Sequence, residues 1–233
     1  MPDHHQVQRF YDEEYYAHNS DTSALPWHMR KVASRLGVLQ DKSVLDVACG
    51  RGEWLLELQR RGAHPAGIDI SGRAAEYARV KLSGADIRQG VAEELPFGNS
   101  QFDLVTCMGS LEHFLDQARA LKEMIRVAKS DATFLILVPN AGFLTRRLGF
   151  YGGTGQVAVR ETVRSIGEWT AILEDAGLHV LKKWRDLHPL SWGWIRHGAA
   201  WTWPVRAAQA MVLPCWPVRW QYQVYFVCST QKS

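Results

Sequence analysis

The sequence predicts an α/β protein built on a doubly wound parallel sheet. Short apolar runs of strand length recur along the chain. Helix-like stretches of about ten to fifteen residues separate them, and glycines or capping residues mark the joints.

Residues 1–40 read as an amphipathic helical cap, with Phe10, Tyr11, Tyr15 and Tyr16, then Met29, Val32, Leu36 and Leu39, at helix-like spacing. His4 and His5 at its start are expected to be disordered. Residues 41–233 form the main domain. Its first strand is 43–50 (SVLDVACG), followed by a helix over 53–62 that stops at Gly62, a residue able to adopt the left-handed cap. A second strand over 65–71 (PAGIDIS) leads into a helix over 72–82, and 85–90 is a third strand. After a turn at 96–101 come a fourth strand (102–108), a helix (116–128) and a fifth strand (132–140). Ser165 and Glu168 have capping-box spacing at the start of a helix that closes at Gly177. Strands over 178–186 and 221–230 complete a set of seven. Two stretches break the alternation, the Gly- and Arg-rich 141–164 and the Trp- and Pro-rich 187–220, and both are read as functional or mobile insertions.

Composition fits this reading. A chain of 233 residues with 46% hydrophobic and 22% charged residues is long enough to bury a core and is not a disordered composition. A net charge of +3 is too mild to argue for nucleic acid. There is no apolar run of transmembrane length and no signal-peptide core, and the four cysteines are scattered without a CxxC pair. A reducing cytoplasm, no disulfide framework and no metal site are therefore expected. The charge is uneven. Six of the ten tryptophans fall in 191–220, and after Asp186 the chain holds Arg196, Arg206, Arg219 and Lys232 but no carboxylate.

In a doubly wound sheet, ligands sit beyond the carboxyl ends of the strands, beside the first strand. Here that loop is Asp46-Val47-Ala48-Cys49-Gly50-Arg51-Gly52, whose glycines let backbone approach a ligand. The dinucleotide pattern wants a third glycine three positions beyond Gly52, where this chain has Leu55. Asp46 suits a cationic ligand better than a pyrophosphate. Asp69 closes the second strand, where a carboxylate can accept ribose hydroxyls or cap the next helix.

Taken in order, VLDVACGRG, GIDIS, GVAEELPFGNSQFDLV, GSLEHFLD and EWTAILEDAGL resemble the motifs of the class I S-adenosylmethionine-dependent methyltransferases, in particular the subgroup with ubiquinone and menaquinone methyltransferases. The resemblance spans about residues 8–186. It implies a Rossmann-like sheet of seven strands with the last antiparallel, helices on both faces, and S-adenosyl-L-methionine as cofactor. It also implies roles. Asp46 approaches the methionine end, and Ala48, Cys49, Gly50 and Gly52 cradle it. Asp69 holds the ribose, Ile70 packs on adenine, Ala92 and Glu93 edge the ring, and Met108 and Gly109 close the site. Relatives often carry Asp after the glycine of the third segment, where this chain has Val91, so adenine is expected to rest on backbone near Ala92 and on apolar packing. The N-terminal tyrosines correspond to a helix that covers the cofactor in relatives; plain packing explains them equally well.

An oxygen acceptor needs a base, and His113 after the fourth strand is the candidate, against the alternative of a packed core histidine. The acceptor expected is a small or amphipathic, lipid-linked molecule, methylated at oxygen. Segment 187–220 is open to several readings: an apolar acceptor pocket, a peripheral membrane contact, a single-strand nucleic-acid platform, or an interface between copies or small extra core. A nucleic-acid partner is disfavoured because no Asn/Asp-Pro-Pro-aromatic motif follows the fourth strand, where the chain reads Met108-Gly109-Ser110-Leu111. A non-catalytic protein on the same fold is the remaining alternative. Because Leu55 and Asp46 contradict the dinucleotide pattern, titration calorimetry with NAD or FAD is expected to show no saturable binding; micromolar binding of either overturns this reading.

Overall fold

The computed structural model describes residues 3–18, 24–143, 162–196, 199–212 and 215–231. A seven-stranded sheet with order β3-β2-β1-β4-β5-β7-β6 organises the chain. The strands are β1 (Ser43–Val47), β2 (His64–Asp69), β3 (Asp86–Gln89), β4 (Phe102–Met108), β5 (Ala128–Pro139), β6 (His179–Arg185) and β7 (Gln223–Ser229). β1 pairs in parallel with both β2 and β4, so the strand order reverses there and a crevice opens at their carboxyl ends. β7 runs antiparallel to β5 on one side and to β6 on the other.

Helices cover both faces. α2 (Trp27–Ala33), α3 (Glu53–Arg60) and α4 (Gly72–Lys81) share one apolar cluster with Val44, Leu135, Leu137, Tyr225 and Val227. α5 (Gln117–Val127) and α6 (Ile166–Asp175) share the other with Leu45, Phe134, Ile136, Val224 and Phe226. Neighbouring positions on one strand, such as Val44 and Leu45, thus feed opposite cores, the consequence of the two-residue period of a strand. This explains why the central strands read as continuous apolar runs. The Ser165–Glu168 capping box forms as expected, and Gly62 and Gly177 both take positive φ, +89° and +101°.

Three expectations change. His4 is ordered: it opens α1 (His4–Phe10) behind a capping box between Asp3 and Gln6. That helix continues through a π-helical stretch, Tyr11–Tyr15, into Tyr16–His18. Leu36 and Leu39 lie beyond the end of α2 and reach their apolar cluster from irregular backbone, the turn passing through Gly37 at φ +81°. β5 begins at Ala128, four residues earlier than the sequence suggests, because Ala128 pairs with Phe102 across an irregularity in the ladder. Of the expected insertion 141–164, residues 144–161 lie outside the described residues.

Trp169 fixes α6 to the sheet. It is fully buried, and its indole N–H donates to the Pro139 carbonyl at 2.8 Å. Trp169→Phe keeps most of the apolar volume but strands that carbonyl. The expected loss is about 1–3 kcal/mol in urea unfolding.

Candidate functional site

The carboxyl ends of β1, β2 and β4 frame a concave cleft that is partly open to solvent. The loop after β1 enters it through Ala48 at φ +62°, followed by Gly50 at +55° and Gly52 at +78°. The left-handed region costs a residue with a Cβ roughly 1–2 kcal/mol, so tertiary constraints rather than local preference hold Ala48 there. At Gly52 the reason for glycine is packing: a Cβ would come within 2.7 Å of Leu82 Cδ1 and 3.2 Å of Ala78 Cβ on the α4 side. At Gly50 a Cβ would lie 3.1 Å from the Tyr16 hydroxyl.

Asp69 ties the loop together. It is 5% exposed; Oδ2 accepts the Gly50 N–H at 2.8 Å and Oδ1 the Ser71 N–H at 2.9 Å. Burial pushes its carboxyl up to about 6, and the two amides pull in the opposite direction. Ser71 caps α4 by accepting the Ala74 N–H at 3.0 Å and donates its own hydroxyl to Asp12 Oδ1 at 2.5 Å. Asp12 also accepts the Arg73 N–H at 3.2 Å. The N-terminal helix is thereby anchored over the loop.

Its π turn decides what it presents. The Tyr16 N–H bonds to the Tyr11 carbonyl, an i→i+5 closure that stacks residues five apart on one side. Tyr11 and Tyr16 consequently both line the cleft. Burial first, then the Asp69 carboxylate, raises both phenols well above the usual tyrosine value, so they act as neutral hydrogen-bonding groups.

Of the expected site residues, Ala48, Asp69, Ile70, Ala92, Glu93 and His113 line this cleft, and Val91 lies beside them. Gly50 borders it through its amide contact with Asp69. Asp46, Cys49, Gly52, Met108 and Gly109 do not line it. Cys49 packs toward Gly67, and Met108 joins the apolar cluster under α2 to α4. Gly109, at φ +72°, donates its N–H to Leu137 and links the ends of β4 and β5. Asp46 lies beneath the loop, 2% exposed, with Oδ1 accepting the Thr106 hydroxyl at 2.6 Å; Thr106 in turn accepts the Trp54 indole N–H at 3.2 Å. Burial pushes Asp46 up to about 7 against the pull of that hydroxyl.

Sequence reasoning missed His4, Val7, Ser110, Phe114 and Leu115, which also line the cleft. His4 Nε2 sits 3.4 Å from Glu93 Oε2, while Glu93 Oε1 accepts the Asp116 N–H at 3.1 Å. The Asp3–Gln6 spacing was the signal that places His4 on a helix.

A methyltransferase-domain profile matches residues 45–136, the segment from the first strand through the fifth that contains most of this cleft. Within that segment the chain carries a methyltransferase domain. The chain is 32% identical over 154 residues to the ubiquinone biosynthesis O-methyltransferase of Hahella chejuensis, covering 64% of each chain. It is 32% identical over 120 residues to the demethylmenaquinone methyltransferase of Lactiplantibacillus plantarum, covering 47% of this chain and 51% of that one. The alignments span from 42% to 64% of the lengths of these and similar curated relatives. In fold, a chain of the complex between the Haloferax volcanii Trm112 methyltransferase activator and a methyltransferase superposes with a TM-score of 0.68 at 24% identity, covering 88% of this chain and 90% of that chain.

The buried Asp46 yields a pH prediction. Its carboxyl titrates higher in the folded protein than in the unfolded chain, so the folded state binds the extra proton between about pH 4 and 7. Stability from this group is present below that window and lost as pH rises through 7. Asp46→Asn removes the titration. The melting-temperature difference, variant minus wild type, is expected to grow between pH 5 and pH 8. Taking the difference cancels the opposing contribution of His28, which burial and His188 hold down to about 4. A difference independent of pH contradicts the assignment.

Proposed function

We propose that the chain transfers a methyl group from S-adenosylmethionine to a small, lipid-like acceptor of the quinone-related class, at oxygen. One observation carries the cofactor part: a buried carboxylate, Asp69, stands between a glycine loop and an apolar slot of Ile68, Ile70, Val91 and Ala92. The slot suits the faces of a purine, the carboxylate a pair of ribose hydroxyls, and the loop backbone at Gly50 an amino-acid tail, so the residues present fit the group. S-adenosylmethionine supplies an electrophilic methyl on a positively charged sulfur when bound.

The protein's part is alignment, exclusion of water and proton management. Tyr11 and Tyr16 roof the cleft and keep solvent from it. Asp46, close under the loop, favours positive charge above it once ionised. His113 lies at the end of the turn Leu111–His113 on the β4 side of the cleft, where an imidazole can take the proton of an acceptor hydroxyl. The relatives named for ubiquinone and demethylmenaquinone support a quinone-related acceptor. The first of them, named as an O-methyltransferase, supports oxygen as the atom methylated. The expected setting is cytoplasmic.

Asp69→Ala is expected to weaken S-adenosylmethionine binding by about 1–3 kcal/mol, the range for charge-assisted hydrogen bonds. Calorimetry showing unchanged affinity removes the ribose role. His113→Ala is expected to lower turnover on a short-chain catechol or quinol by about 10²–10⁴ with cofactor affinity retained. A variant with full turnover and a lowered melting temperature makes His113 a packing residue instead.

A further inference from the structure

α8 (Trp203–Val212), with the turn Ala200–Thr202 before it, wears its apolar side outward. Trp201 is 79% exposed, Val205 60% and Met211 76%, and Trp203 and Val212 are also exposed. Within α8, Val205, Ala208 and Val212 fall on one helical face, and all three are exposed. The one buried residue of α8 is Ala210, and its polar residues, Arg206 and Gln209, are half-covered rather than outermost. Trp192, at the start of the short helix α7 (Trp192–Ile195), adds a further ring at 72% exposure. An amphipathic helix folded against its own protein would point these residues inward; so contiguous an apolar face marks a binding surface.

Charge selects the occupant. Arg196 lies over the rings of Trp192 and Trp203, Arg206 over Trp194, and Arg219 over Trp220. No carboxylate occurs after Asp186 in the sequence. Tryptophan rings interleaved with arginines, without acidic residues, match the headgroup layer of a bilayer, where indole sits at the boundary and guanidinium meets phosphate. A single-stranded nucleic acid would call for a basic groove tracking its backbone, whereas here each guanidinium rests on a ring and the outermost side chains are aliphatic or indole. Among the described residues no helix is long and apolar enough to cross a membrane, which leaves contact with the surface.

We propose that α7 and α8 form a docking surface for anionic phospholipid bilayers, lying in the interface with Trp192, Trp201 and Met211 inserted. Resting on the reading of a lipid-like acceptor, this surface follows β6, whose end lies on the same carboxyl edge of the sheet as the cleft, and would hold the protein at the membrane that carries such an acceptor.

The test is co-sedimentation of the intact protein with vesicles of phosphatidylcholine alone and of an equimolar mixture with phosphatidylglycerol. Binding to the mixed vesicles is expected, with tryptophan fluorescence quenched by brominated acyl chains. The double variant Trp192→Ala/Trp201→Ala is expected to bind about tenfold or more weakly, and Arg196→Gln about fivefold more weakly to the anionic vesicles alone. Cofactor affinity by calorimetry, unchanged in each, verifies that the variants are folded. No sedimentation with either vesicle overturns the proposal. So does sedimentation undiminished in the double variant, or a dimer in analytical ultracentrifugation that the double variant dissolves. Turnover on a water-soluble quinol reports on the methyl-transfer reading separately: vesicle binding can fail while turnover persists, and the reverse.

Discussion

The carboxylate of Asp69 is the constraint around which the cleft is arranged. Its two oxygens receive amides from two different loops, Gly50 after β1 and Ser71 after β2. Burying a carboxylate is expensive, and the compensation has to come from donors held in fixed directions. That demand sets the backbone of both loops at once. The Ser71 amide can point at Asp69 only if α4 begins where it does, and the Gly50 amide only if the loop has turned through the left-handed conformation of Ala48. Ser71 then passes the constraint outward to Asp12, so the N-terminal helix takes its place from the same carboxylate two hydrogen bonds away.

The π turn converts this anchorage into a surface. A regular helix would place Tyr11 and Tyr16 on different sides. The extra residue in the turn brings both rings to the cleft, 6.2 Å apart between centroids. Arg51 completes the arrangement from below, donating to the Tyr16 carbonyl at 3.0 Å and lying over the rings of Tyr16 and Tyr77. The irregularity in the helix is thus a positioning device, a common place for π turns to occur.

Much of this was legible in the sequence, and the reasons differ by element. β1, β2 and β4 are buried on both faces, so they announce themselves as apolar runs, and the glycines that bound them have positive φ or close neighbours as their cause. The start of β5 was hidden because Lys129, Ser130 and Asp131 are polar, and its pairing with Phe102 is a tertiary fact with no local signature. The cleft was legible where a motif ties a residue type to a backbone position, as at Asp69 and Ile70. It was obscure where residues reach it by tertiary placement, as with Val7, Phe114 and Leu115. The place of Asp46 under the loop, rather than along the cleft, follows from strand alternation and from Thr106 on the neighbouring strand, a pairing visible only once the register is known.

The order of strands has a consequence for biogenesis. Of the seven strands, β7 is synthesised after the other six, yet it occupies the slot between β5 and β6. While it is still being synthesised, β5 presents an open edge whose residues Phe134, Leu135 and Ile136 are among the most apolar in the chain, and β6 has no partner at all. A nascent chain stalled in this state would expose a long hydrophobic edge to its neighbours. The outward apolar residues of α8 emerge in the same interval. Until β7 fills that slot the sheet is divided in two, and the apolar edge of β5 and the whole of β6 wait on a single strand for their pairing.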